Sequence, residues 1–131
     1  MTRQVSGPFD VKMTTEPDAF PGRRTLDKRY HGALEAAAEG QMLAVMDPAL
    51  GSGAYVALER VTGTLEGRAG SFVLQHSAQM NRGVPSLAVV VVPDSGTGAL
   101  EGITGRMNIR IESGGAHFYE FDYALPGAPQ R

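Results

Sequence analysis

The stretch AYVALERVTGTLEGRAGSFVLQHSAQM, residues 54–80, decides the fold. Its first half is rich in β-branched residues. Its second half alternates Phe72, Leu74, His76, Ala78 and Met80 against Ser71, Val73, Gln75, Ser77 and Gln79, the two-residue period of a strand with one buried face. Glu66 and Gly67 separate the runs with turn chemistry, so the stretch reads as an antiparallel hairpin. Parity then assigns sides. Glu59 shares a face with Tyr55, Ala57 and Val61, whereas Arg60 points the opposite way.

The pattern continues toward the C-terminus. VPSLAVVVV (84–92) is an unbroken apolar run, the signature of a strand covered on both faces. PDSGTGALEGITG (93–105) is a turn cluster with a short apolar insert at Leu100. RMNIRIES (106–113) alternates Met107, Ile109 and Ile111. After Gly114-Gly115, a strong hairpin signal, AHFYEFDYAL (116–125) sets His117, Tyr119, Phe121 and Tyr123 on one face. PGAPQR (126–131) reads as a frayed tail.

Toward the N-terminus, VSGPFDVKMTT (5–15) places Val5, Phe9, Val11 and Met13 on one parity, and Gly7 marks a break. EPDAFPGRR (16–24), with two prolines and a glycine, has loop chemistry. ALEAAAEGQMLAVM (33–46) admits two readings. Its alanines, leucines, glutamates and methionines are strong helix formers. Yet Leu34, Ala36, Ala38, Met42, Ala44 and Met46 also alternate, and Gly40 is awkward inside a helix. The count is seven or eight strands without a secure helix, which predicts an all-β antiparallel barrel or sandwich.

Composition narrows the class. A chain of 131 residues is one domain. Seventeen glycines, against a usual share of roughly 7%, fit frequent tight turns. Twelve basic and fourteen acidic side chains give a net charge of −2, and a phosphate-backbone binder would be more basic, so no nucleic-acid partner is expected. There is no cysteine, which removes disulfides and thiolate catalysis. No apolar run resembles a signal peptide or approaches the ~20 residues of a bilayer span, so a cytoplasmic location without membrane association is expected.

SGTGALEGITGRMNIRI followed by AHFYEFDYAL resembles the C-terminal half of the allene oxide cyclase barrel. Together with YHGALEA, AYVALERVTGTLEGRAGSFVLQH and VPDSGTG, the chain more closely resembles a family of small bacterial proteins of unassigned function, similar to that barrel superfamily. The resemblance covers nearly the whole chain. It implies a closed antiparallel barrel of about eight strands, a strand at residues 33–46, and a homo-oligomer. The chain departs from the plant cyclases in having no cysteine, and FDVKM offers only Asp10 where they carry a first-strand carboxylate. Fold similarity by itself transfers no chemistry.

Motifs for specific chemistry are sparse. The glycines at 96, 98 and 102 give G-x-G-x-x-x-G without a βαβ pattern, and no G-x-S-x-G is present. His31, His76 and His117 lie in separate segments without metal-ligand spacing, so neither a metal nor another cofactor is implied. The informative residues are those sharing a strand face. His76, beside Phe72 and Leu74, is either a hydrogen-bonded core histidine or a proton donor and acceptor in a lumen. Glu59 on an apolar face must be paired, or its pKa rises toward that of a general base.

A barrel of about eight strands has an interior just wide enough for side chains or one small ligand. The expected function is therefore binding of a small, largely apolar molecule, lined by Tyr55, Phe72, Leu74, Tyr119, Phe121 and Tyr123, with Tyr55, Glu59, His76 and Tyr119 as polar contacts. An isomerase or cyclase using Glu59 as base and His76 as acid is the catalytic alternative. A structural or interaction module with a filled core is the third.

Overall fold

A computed structural model of the chain describes residues 2–16 and 20–126. Among these are nine strands and no helix: β1 Arg3–Glu16, β2 Gly22–Tyr30, β3 Leu34–Asp47, β4 Ser52–Leu65, β5 Arg68–Asn81, β6 Val84–Val91, β7 Thr97–Gly98, β8 Thr104–Ile111 and β9 His117–Ala124. Eight of them close antiparallel in the order β1-β2-β3-β4-β5-β6-β8-β9, with β9 returning to β1. The short β7 pairs with β5 outside this ring. The fold is a closed eight-stranded barrel plus one outside strand. No helix is long and apolar enough to cross a membrane among the described residues.

The ambiguous segment is β3, paired along its length with β2 on one side and β4 on the other. Two full ladders outweigh helix propensities of a few tenths of a kcal/mol per residue. Gly40 is required here by close approach, because a Cβ at that position would lie 2.0 Å from the Leu58 carbonyl oxygen. The Glu66-Gly67 turn has φ of 48° and 83°, the double left-handed geometry that suits the twist of a two-residue hairpin. Part of the expected loop at 16–24 is strand: Glu16 ends β1 and β2 begins at Gly22, while residues 17–19 lie outside the described residues. The expected frayed tail lies outside them as well, beyond Pro126.

The two ends of the barrel differ. At one end the β2–β3 and β4–β5 turns meet, with the Glu66 N–H donating to the Ala33 carbonyl, and the segment 92–103 lies along β5 and inserts Leu100 and Ile103 as buried plugs. Leu34, Leu65, Phe72, Tyr119, Phe121 and Tyr123 fill the lumen beneath them. At the other end, Met13, Met46, Leu87 and Ile111 lie on the lumen-facing parity, yet each is between 42% and 64% exposed. The β6–β8 seam is short. It consists of Val89↔Met107 and Val90↔Arg106 alone, so Val84–Ala88 and Asn108–Ile111 have no ladder between them. The expectation that residues 84–92 are covered on both faces is corrected here. Val89 and Val91 are buried, but residues 84–88 are exposed and Val90 is half-buried on the outer side.

Candidate functional site

Between the filled and the open halves lies a cluster of charged side chains with almost no exposure: Glu59 at 1%, His76 at 3% and Lys28 at 5%. Strand parity brings all three inward. The Glu59 carboxylate is the hub. Its Oε2 accepts from Lys28 Nζ at 2.8 Å and from His76 Nε2 at 2.5 Å, and its Oε1 accepts from Tyr30 Oη at 2.6 Å. Lys28 and Tyr30 come from β2 and Glu59 from β4, so they meet across the inner face of β3. That face carries only Ala36, Ala38 and Gly40 in this region, and the small side chains leave the trough through which they meet. The Lys28 ammonium also lies 5.3 Å from the centre of the Phe9 ring and 5.8 Å from that of Tyr30, a favourable placement for a desolvated cation.

These contacts set the ionisation of the cluster. Burial pushes the Glu59 pKa up, but the hydrogen bond from His76, the charges of Lys28 and His76, and the hydrogen bond from Lys28 outweigh it. The net effect lowers the pKa from 4.5 to about 2. Of the two outcomes open to an enclosed carboxylate, the paired one holds. Burial, followed by the Glu59 charge and hydrogen bond, raises the Tyr30 pKa well above its ordinary value. Tyr30 therefore serves as a donor.

The imidazole has one side committed and one side available. With Nε2 donating to the carboxylate, Nδ1 has no hydrogen bond among the described residues. The closed half, on one side of the imidazole, is packed with fully buried side chains, and the open half lies on the other. The walls there are apolar: Leu26, Met42 and Ala57 are buried, and Ala44 and Tyr55 are half-buried against them.

The structure brings Glu59 and His76 together and keeps Tyr55 on the open side of them. Phe72, Leu74, Tyr119, Phe121 and Tyr123 instead form the packed end. Phe121 stacks on Phe72 at 5.6 Å and on Tyr123 at 5.5 Å. Tyr119 Oη donates to the His31 carbonyl at 2.8 Å and accepts from the Leu34 N–H at 3.0 Å, while Tyr123 bonds Glu66. The phenol at the carboxylate is therefore Tyr30. Neither Tyr30 nor Lys28 was singled out by the sequence reading, although Leu26, Lys28 and Tyr30 alternate against Asp27 and Arg29. Asp10 of FDVKM faces outward, 3.0 Å from His31 Nε2. His117 packs on Phe9 with ring centres 5.2 Å apart. No group of three or more histidines and carboxylates is poised to hold a metal among the described residues. The large concavities at the surface, of about 490 and 950 Å³, lie on the outer face of β1–β4 and β3–β5.

Residues 5–123 match the family described as protein of unknown function (DUF3224). A crystal structure of a protein with unknown function from that family, from Shewanella oneidensis MR-1, is similar at 46% sequence identity and a TM-score of 0.91. The match covers 98% of this chain and 100% of that one. No curated protein matches.

Proposed function

The chain belongs to the DUF3224 family, whose function is unknown, and we propose that its open half-lumen binds a small, largely apolar molecule carrying one hydrogen-bonding group. The observation that carries this reading is the His76 imidazole. It is buried, fixed on one side by Glu59, without a partner among the described residues on the other, and beside apolar walls. A neutral ring accepts at Nδ1 and a protonated ring donates there, so a hydroxyl, amine or carbonyl on the ligand finds a partner. The packed half supports this half as a rigid floor, and the unpaired β6–β8 edges give access from the side.

An isomerase or cyclase reading uses the same atoms with the roles redistributed. Glu59 holds three donors and a lowered pKa. It suits orienting the imidazole, which leaves proton transfer to His76. Conversion of a bound molecule, rather than binding alone, distinguishes the two readings.

The test uses N-phenyl-1-naphthylamine, an apolar fluorescent amine. Ala78→Trp fills the space one step above His76 on β5, whereas Leu58→Gln alters only the outer groove. Saturable fluorescence with the unaltered protein and with Leu58→Gln, lost in Ala78→Trp, is the expected result. Equal binding by Ala78→Trp, or loss in Leu58→Gln alone, overturns the reading.

A further inference from the structure

The outer face of an antiparallel barrel is ordinarily polar, because water covers it. Around β1, β8 and β9 it is so: Gln4 bonds Asp122 at 2.8 Å and Arg110 bonds Glu120 at 2.7 Å. Across β3 and β4 it is not. Leu43, Val45, Val56 and Leu58 point outward and are between 41% and 56% exposed. Register makes them neighbours, with Leu43 opposite Val56 and Val45 opposite Ala54. Leu43, Val56 and Leu58 join the half-buried Val73 as the floor of the groove of about 950 Å³. Contiguous apolar surface on a sheet exterior marks a contact with another molecule.

We propose that this face is where two copies of the chain meet. An isologous contact requires a surface that does not repel itself. The centre of the patch carries no charge. On its rim Arg60 lies opposite Glu39, and Arg23 pairs with Glu16. The rim therefore has both signs and no excess to select an oppositely charged partner.

The size also fits. At ~4.8 Å between strands and ~3.4 Å per residue, the patch with one surrounding ring of residues spans roughly 25 by 30 Å. That is about 750 Å² on each copy, close to the roughly 800 Å² per partner of a stable interface. The same face continues onto β6 through Ala88 and Val90, which pair with Ser77 and Gln75 of β5. The apolar run at 84–92 thus adds to the edge of the contact.

The experiment is light scattering during gel filtration at micromolar concentration. The unaltered chain should give twice the 13.9 kDa subunit mass. Leu58→Glu places a charge at the centre of the contact and should give one subunit mass with an unchanged circular dichroism spectrum. Asn108→Glu, on the opposite outer face, should leave the double mass intact. Where Leu58→Glu fails to fold, Leu43→Gln combined with Val56→Thr gives the same readout. An unaltered chain of single mass, an assembly unaffected by the patch substitutions, or one lost equally in Asn108→Glu overturns the proposal.

Discussion

On one side of Glu59 the lumen holds stacked aromatic rings and aliphatic plugs; on the other it holds Leu26, Met42, Ala57 and Tyr55, and beyond them the exposed Met13, Met46, Leu87 and Ile111. The same strands build both halves, so the difference lies in side-chain volume and in what closes each end. The packed half has Leu100 and Ile103 driven into it by the 92–103 segment. The open half has two strands that part company beyond Val89 and Met107. Dense packing stabilises one half, exposed apolar side chains mark the other, and the charged cluster sits at the boundary between the two.

Truncation is the strongest way to break this comparison. Phe121→Ala in the packed half should cost about 4 kcal/mol by urea denaturation, in line with buried aromatic deletions. Met80→Ala in the open half should cost less than ~1 kcal/mol, because little dense packing is lost there. Similar costs for both would erase the distinction between the halves.

The boundary gives the next effect. Lys28→Met leaves the buried Glu59 carboxylate without its lysine partner and should cost ~3 kcal/mol. Adding Glu59→Gln to that variant should recover most of the loss, because it removes the uncompensated charge while the amide still accepts from Tyr30 and donates to a neutral His76 ring. A double variant as unstable as the single one would mean that the cluster stabilises the fold rather than marks its boundary.

A smaller effect appears with pH. The Glu59 pKa is lowered on folding from 4.5 to about 2. Its contribution to stability is therefore fully present above pH 4.5 and is lost as pH falls toward 2. The denaturation midpoint of the unaltered chain should drop across that window more steeply than that of the Lys28→Met/Glu59→Gln variant. Parallel curves would contradict the paired carboxylate. Smallest of all, Arg110→Ala breaks solvent-exposed ion pairs on the outer face and should leave the midpoint unchanged within error.

The parts of the molecule legible in sequence are those where apolar alternation runs without interruption. The 54–80 hairpin gave both the parity of Glu59 and that of His76, and the Gly114-Gly115 hairpin gave the inward aromatics of β9. Strand β2 escaped because its inward positions include Lys28, whose charge hides the alternation, and because Arg23 and Arg24 follow a proline and a glycine. The site's partners went unread with it. Strand β3 was ambiguous for a related reason: Ala36, Ala38 and Gly40 are small so that Lys28 and Tyr30 can cross to Glu59. Small residues resemble a helix until the neighbouring strands are known. The run at 84–92 misled in the other direction, since its apolar outer side faces solvent within one copy of the chain.

The central claim is that the free face of His76 meets a ligand in the open half-lumen. Long-range proton–nitrogen correlation spectra of the histidine rings test it most directly, during titration with N-phenyl-1-naphthylamine. The account predicts that the His76 Nδ1 resonance shifts saturably with the fluorescence change, while the ring nitrogens of His31, on the outer face, stay in place. Saturable probe binding with the His76 resonances unmoved would contradict it.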